Sequence, residues 1–303
     1  MAGIPPNTFN GEAWSRSILE LIRRASTQLP DDVFNALRNA GAAAEVPRAA
    51  SILSSLCRNA EIARANSTPM CQDTGTLTFW VETPSDTPRN KLARAIRNAV
   101  AEATRRGFLR QNTILPVDEE SVPDNVAEGS PTIHFDESEE VEFVRVSLLL
   151  KGGGCENMST QYSLPDATIA AGRDLQGVRT CVLHAVWRAQ GMGCAPGILG
   201  VCIGGDRAGG YARAKKQLLR KLDDVSPDPV LAQLESRLLE EANTLEIGPM
   251  GLGGKTTPLG VKICGASRLP ASFFVTVAYS CWACRRATMV IDVATGLEKE
   301  VRQ

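Results

Sequence analysis

A chain of 303 residues that is 43% hydrophobic and 22% charged has the make-up of an ordinary globular protein, with room for about two domains. Thirty-three basic residues against 34 acidic ones leave a formal charge of −1, which argues against a nucleic-acid or membrane-surface role. The opening "MAGIPPNTFNGEAW" has no apolar signal core and no run long enough to span a bilayer follows, so the expected location is the cytoplasm. Nine cysteines in such a chain read as packing residues, metal ligands or reactive thiols rather than as a disulfide framework. With only His134 and His184 present, a site built from several histidine ligands is excluded by count.

The first 66 residues read as three helices. Trp14, Ile18, Leu21, Ile22 and Ala25 recur at helical spacing. A second helix starts at Pro30–Asp31 and stops at Gly41, and a third runs from about Pro47 to Asn66. The loop "NSTPMCQDTG" follows, where Pro69 and Gly75 bracket a thiol, an amide and a carboxylate. Next come a strand, "TLTFWVE", and a helix over 90–106. "QNTILPVDEESVPDNVAEGSP" reads as a long surface loop, and a division falls there, between a lobe of residues 1–115 and one of 116–303. The strand "VEFVRVSLLL" runs into "KGGG", a helix spans 175–190, and "GMGCAPGILGVCIGGDR" forms a turn–strand–turn. Helices at about 209–222 and 228–244 precede the strands "PLGVKI", "SFFVTVAYS" and "ATMVIDV". Helices and strands mix without strict alternation, so the predicted class is α+β (mixed α/β), a helical N-terminal region followed by mixed sheets with flanking helices.

Three cysteines stand at strand ends or in turns, where a side chain can point into a cleft: Cys71, Cys194 and Cys281. Each can equally be a small buried hydrophobe, which is the reading for Cys57, Cys181, Cys202 and Cys264. "CWAC" (Cys281, Cys284) has a spacing that suits zinc or thiol redox work, but no second C-x-x-C and no thioredoxin-like unit accompanies it. Cys155, after "KGGG", is a possible fourth thiol. "GPMGLGGKTT" fails as a phosphate loop, because Pro249 occupies the first required glycine and Pro258 interrupts the helix that should follow. His184 reads as a hydrogen-bonded structural residue, and Arg285–Arg286 as a solvent-facing pair or, less simply, an anion clamp.

Taken together, "MCQDTG", "KGGG", "GCAPG…GVCIGG", "IGPMGLGGKTT…GV" and "SCWACRR" resemble the iron–sulphur class I fumarase and L-tartrate dehydratase family, most closely the α subunit of its two-subunit members. The resemblance runs from "LPDDV" near residue 29 to "ATMVI" near 291. It implies a [4Fe–4S] cluster held by Cys71, Cys194 and Cys281, with Gln72 hydrogen-bonding the substrate and Asp73 managing the proton. It also implies that Arg110 pairs with a substrate carboxylate and that Gly152, Gly153 and Gly154 form a turn against the ligand. The implied activity is reversible hydration or dehydration of a C4-type dicarboxylate (fumarate/malate, tartrate/oxaloacetate or a substituted analogue). A β subunit would complete the site, giving a heterotetramer. Two positions depart from the family pattern: Cys194-Ala195-Pro196 replaces Cys-Pro-Pro, and Leu269 stands where a catalytic histidine is expected. Leu269 therefore implies an apolar pocket wall, or alternatively a non-catalytic cluster-bearing or ligand-binding paralogue.

Overall fold

The computed structural model describes residues 9–137 and 143–299. In chain order the helices are α1 (Gly11–Thr27), α2 (Asp31–Ala42), α3 (Pro47–Asn66), α4 (Arg89–Arg105), α5 (Gly153–Met158), α6 (Leu175–Ala189), α7 (Arg207–Gln217) and α8 (Pro229–Asn243). The strands are β1 (Thr76–Thr83), β2 (Thr132–Glu137), β3 (Val144–Lys151), β4 (Thr160–Ser163), β5 (Gly197–Gly204), β6 (Pro258–Ala266), β7 (Phe274–Ser280) and β8 (Arg285–Ile291). They form two mixed four-stranded sheets, β2-β1-β3-β8 and β4-β7-β5-β6, in agreement with the α+β expectation. No helix among the described residues is long and apolar enough to cross a membrane.

The chain divides into two compact units, one of Met1–Leu29, Ala60–Lys151 and Arg285–Gln303, the other of Pro30–Asn59 and Gly152–Cys284. This differs from a single cut at 115/116, and strand pairing is the reason. Strand β1 pairs antiparallel with β3, and β3 pairs with the C-terminal β8, so the first unit needs segments from three parts of the sequence. The second unit takes its α2 from the N-terminal region, where the Asp32 carboxylate accepts from the Leu222 amide at 2.8 Å.

In the first unit, α1 starts at an Asn10 cap that accepts from the Ala13 amide. Its buried stripe of Trp14, Ile18, Leu21, Ile22 and Ala25 shares one core with Leu92, Ile96 and Ala99 of α4 and with Leu77, Phe79 and Val81 of β1. Burying each of the larger aliphatic side chains contributes about 1.5–3 kcal/mol. Strands β1 and β2 run parallel and are joined through α4, a crossover that parallel pairing requires. In the second unit, β5 and β6 are likewise parallel, with α7 and α8 between them, and β7 pairs antiparallel with β5 and β4.

The predicted loop after α4 belongs wholly to the first unit and is built around one residue. Asn125 is 0% exposed; its Oδ1 accepts from the amides of Asn112 and Thr113, and its Nδ2 donates to Thr104 Oγ1 and the Arg110 carbonyl. Its φ of 61° lies in the left-handed region, which asparagine tolerates better than most residues.

Candidate active site

One end of the first unit's sheet gathers three segments. Strand β1 begins at Thr76, directly after the Cys71–Gly75 loop; Thr76 pairs with Lys151 at the end of β3, and Leu150 pairs with Arg285 at the start of β8. The loop is pinned by side chains rather than by regular structure. Thr74 Oγ1 donates to the Arg110 carbonyl at 2.7 Å and accepts from the Arg110 amide at 2.8 Å, while the Thr74 amide donates to Asn112 Oδ1. Asp73 Oδ1 accepts from the Gly75 amide at 2.8 Å. This end therefore brings Cys71, Gln72 and Asp73 to the same ledge as Arg110, whose side chain is exposed. The sequence singles out these four residues but not Thr74 and Asn125, which join the Arg110 backbone to the loop. Both are turn-forming types in loops, and nothing in their spacing signals a shared contact.

The same end is cationic and buried. Lys151 and Arg285 are each 1% exposed and Arg286 is 8% exposed. This corrects the reading of the arginine pair as solvent-facing: β8 pairs with β3 and carries both residues into the interior. Arg285 Nη1 donates to the Asp73 carbonyl at 2.7 Å, and its buried Nε meets no partner. Buried cations beside a carboxylate-bearing loop fit a ligand that brings negative charge.

The second unit holds the other two predicted thiols at one end of its own sheet. Cys194 precedes β5 and Cys281 follows β7, and Ile198 pairs with Ser280 across the two strands. The Trp282 amide donates to the Cys194 carbonyl at 3.3 Å, which fixes the two cysteine segments together. Cys194 is exposed, with a φ of 54°, a left-handed conformation that costs a non-glycine residue roughly 1–2 kcal/mol. Its neighbours explain how the turn is held. A Cβ on Gly193 would lie 2.3 Å from the Tyr279 ring, and one on Gly197 would lie 2.4 Å from it. The ring of Tyr279 thus occupies a groove that only hydrogen atoms leave open. Burial, and then the neighbouring thiols of Cys155, Cys281 and Cys194, push the Tyr279 phenol far above its ordinary value. Cys155 lies 3.9 Å from the Gly193 carbonyl, so it joins this group as expected.

Other residues fall elsewhere. Gly152 caps α5 at φ −60° and ψ 153°, and a Cβ on Gly154 would meet only the Met192 carbonyl at 3.6 Å. Neither glycine is demanded by backbone conformation. Cys202 and Cys264 are register partners on β5 and β6, and Cys181 is buried in α6. His184 Nδ1 is 2.9 Å from the Tyr162 hydroxyl, a structural contact, and Lys255 pairs with Glu45 at the surface. Leu269 is 71% exposed and lines an open cleft of about 940 Å³ with Arg207, Arg213 and Arg268. That cleft lies at the far end of β7 from Cys281. A strand of seven residues spans about 23 Å, so within one chain Leu269 is no wall of the thiol site. Twelve residues of linear proximity conceal that separation.

Among the described residues no group of three or more His, Cys, Asp and Glu side chains is arranged to hold a single metal ion. A four-iron cluster is a larger body with thiolate ligands, and the thiols of Cys194 and Cys281 in the second unit and of Cys71 in the first are of the soft kind that suits that chemistry.

The first unit thus carries a thiol, a carboxylate, an arginine and buried cations at one sheet end, and the second carries two thiols at an end of its own. The family model for fumarate hydratase (Fumerase) matches residues 15–290, and the chain belongs to that family. It is 47% identical over 289 residues to an inferred class I fumarate hydratase of Geobacillus stearothermophilus, covering 92% of this chain and 55% of that one. It is 36% identical over 285 residues to an inferred L(+)-tartrate dehydratase α subunit of Methanocaldococcus jannaschii, covering 92% and 98% of the two chains. With the L(+)-tartrate dehydratase α subunit of Escherichia coli K12 the identity is 31% over 276 residues, covering 90% and 89%. The chain thus spans about half the length of the first relative and nearly all of the second.

Proposed function

We propose that this chain is the α subunit of a [4Fe–4S]-dependent hydro-lyase that adds or removes water across a C4-type dicarboxylate. The observation that carries the reading is the Thr74 bridge, which holds Asp73 and Arg110 on one ledge. Arg110 offers a fork of donors that suits one carboxylate of the substrate, and Gln72 offers an amide to a second polar group. Asp73, its Oδ1 steadied by the Gly75 amide, moves the proton of the departing or incoming water. Cys71, Cys194 and Cys281 would hold the cluster, which when bound supplies a Lewis acid for the substrate hydroxyl. The buried cations Lys151, Arg285 and Arg286 offset the charge that thiolates and a dicarboxylate bring.

The α-subunit names of relatives that match over nearly their whole length support a β chain completing the site; the further proposal is a heterotetramer located in the cytoplasm. Leu269 no longer argues for a non-catalytic paralogue, because the residue lies at the wrong end of β7 to deprive this chain's thiols of a proton donor. The test is anaerobic reconstitution with the β-type partner, followed by assays on fumarate, tartrate and methyl-substituted analogues. Turnover of at least one is expected, and turnover of none by a cluster-loaded pair would refute the reading.

A further inference from the structure

We propose that Arg285 is a positioning residue that sets the Asp73 carboxylate by holding the main chain at Asp73. The inference rests on the role of Asp73 given above. Arg285 is buried and always charged, and among the described residues no carboxylate pairs with it. A side chain needed only to fill space at the start of β8 would be apolar, because burying a guanidinium is costly. What the charge does here is donate at 2.7 Å to the carbonyl of residue 73. That carbonyl sits in a loop without a ladder of its own, where an external donor decides its orientation. The donor rides on a strand locked to β3, with Leu150 opposite Arg285, so it is fixed by the sheet rather than by the loop.

The Thr74 bridge fixes the next residue to Arg110, and the Gly75 amide steadies the carboxylate. Arg285 supplies the contact that ties residue 73 itself to the sheet. With Arg285 gone, Thr74 would still hold Arg110, and the peptide between residues 73 and 74 would keep the 3.3 Å bond from its N–H to Asn112 Oδ1 but lose the bond at its carbonyl, so that it could tilt and swing the carboxylate. Substrate affinity should therefore survive better than turnover.

The test uses the complete, cluster-loaded enzyme with its β-type partner. Arg285→Met is expected to lower kcat about 100-fold, the size of loss that misplacement of a reacting group by an ångström produces. KM should change by less than about threefold. Arg285→Lys, which can reach the same carbonyl, should recover at least about a tenth of the parental kcat. In an Asp73→Asn background, Arg285→Met should cost no more than about twofold, since no carboxylate remains to be placed. Amide hydrogen exchange on the full chain gives a readout that does not depend on turnover: Thr74 and Gly75 should exchange at least about tenfold faster in Arg285→Met, with α1 unchanged. Equal losses of kcat in the two backgrounds, or unchanged exchange at residues 74 and 75, would overturn the proposal. If the parental pair turns over no dicarboxylate, the hydro-lyase reading falls, and the exchange rates alone decide whether Arg285 anchors the loop.

Discussion

At the ledge beside β1, the backbone of Asp73 and Arg110 is held by hydrogen bonds from Thr74, Asn125 and Arg285, whereas at the thiol end of β5 the Cys194 turn is held by a tyrosine ring lying in a glycine groove. The two regions solve the same problem, fixing an irregular loop at a strand end, with different physics. Hydrogen bonds fix the backbone from which the Asp73 carboxylate and the Arg110 guanidinium project, as the proposed contacts with a substrate at defined angles would need. Close packing sets the position of a thiol, whose sulphur needs a fixed place more than a fixed donor geometry. Substitutions should therefore behave differently at the two ends; three of them sharpen or break the contrast, and a fourth, away from both, sets its baseline.

The largest effect is expected at the hydrogen-bonded end. Asn125→Ala strips partners from the Asn112 and Thr113 amides and from the Arg110 carbonyl, and it places alanine at a positive φ. A loss of about 3–4 kcal/mol in unfolding free energy is expected from urea titration. A loss below about 1 kcal/mol would mean that water replaces the side chain there.

Gly193→Ala comes next and attacks the packed end. Its Cβ would enter the Tyr279 ring, with an expected cost of about 2–3 kcal/mol. Tyr279→Leu in the same chain should recover part of it, because the clash is with the ring. If the double variant is no more stable than Gly193→Ala, packing is not what holds the Cys194 turn.

Thr74→Val keeps the shape of the side chain and removes its hydroxyl, leaving the Arg110 amide without its side-chain partner and the Arg110 carbonyl with Asn125 only. The expected cost is about 1–2 kcal/mol, accompanied by a raised KM, whereas Thr74→Ser should sit near the parent. Equal behaviour of the valine and serine variants would remove the hydroxyl from the account.

The smallest effect is electrostatic and lies away from either end. Asp224 is held below its ordinary value of 3.8, chiefly by the hydrogen bond from Arg220. A depressed carboxylate contributes stability above its unfolded value, and that contribution disappears as pH falls through the folded one. Asp224→Asn should cost less than about 1 kcal/mol at neutral pH, because the pair is partly exposed. The difference from the parent should vanish well below pH 3.8 in acid-unfolding curves.

Much of the fold was legible because most of its strands are apolar runs between turn residues: β1, β3, β5, β6 and β7 stand where the sequence suggested. Strand β2, "TIHFDE", escaped notice because it is a half-exposed edge strand with polar residues at alternate positions. The short β4 and α5 carry too few residues for a period to show. At the site, the motif cysteines, Asp73 and Arg110 could be read from chemistry and resemblance, and their supports could not. Arg285 looked like surface because arginine usually is, and only pairing with β3 reveals its burial. Leu269 seemed near Cys281 because strand length is invisible in a count of residues.

The central proposal is that Cys71, Cys194 and Cys281 hold one cluster. Its most direct test is iron and acid-labile sulphide content, with the visible and electron paramagnetic resonance spectra, after anaerobic reconstitution of the parent and five single cysteine-to-alanine variants. The account predicts about four irons and four sulphides per chain in the parent and in Cys155→Ala and Cys284→Ala, with loss of the cluster in Cys71→Ala, Cys194→Ala and Cys281→Ala. Full iron loading in Cys71→Ala would contradict it, because the first unit would then contribute no ligand.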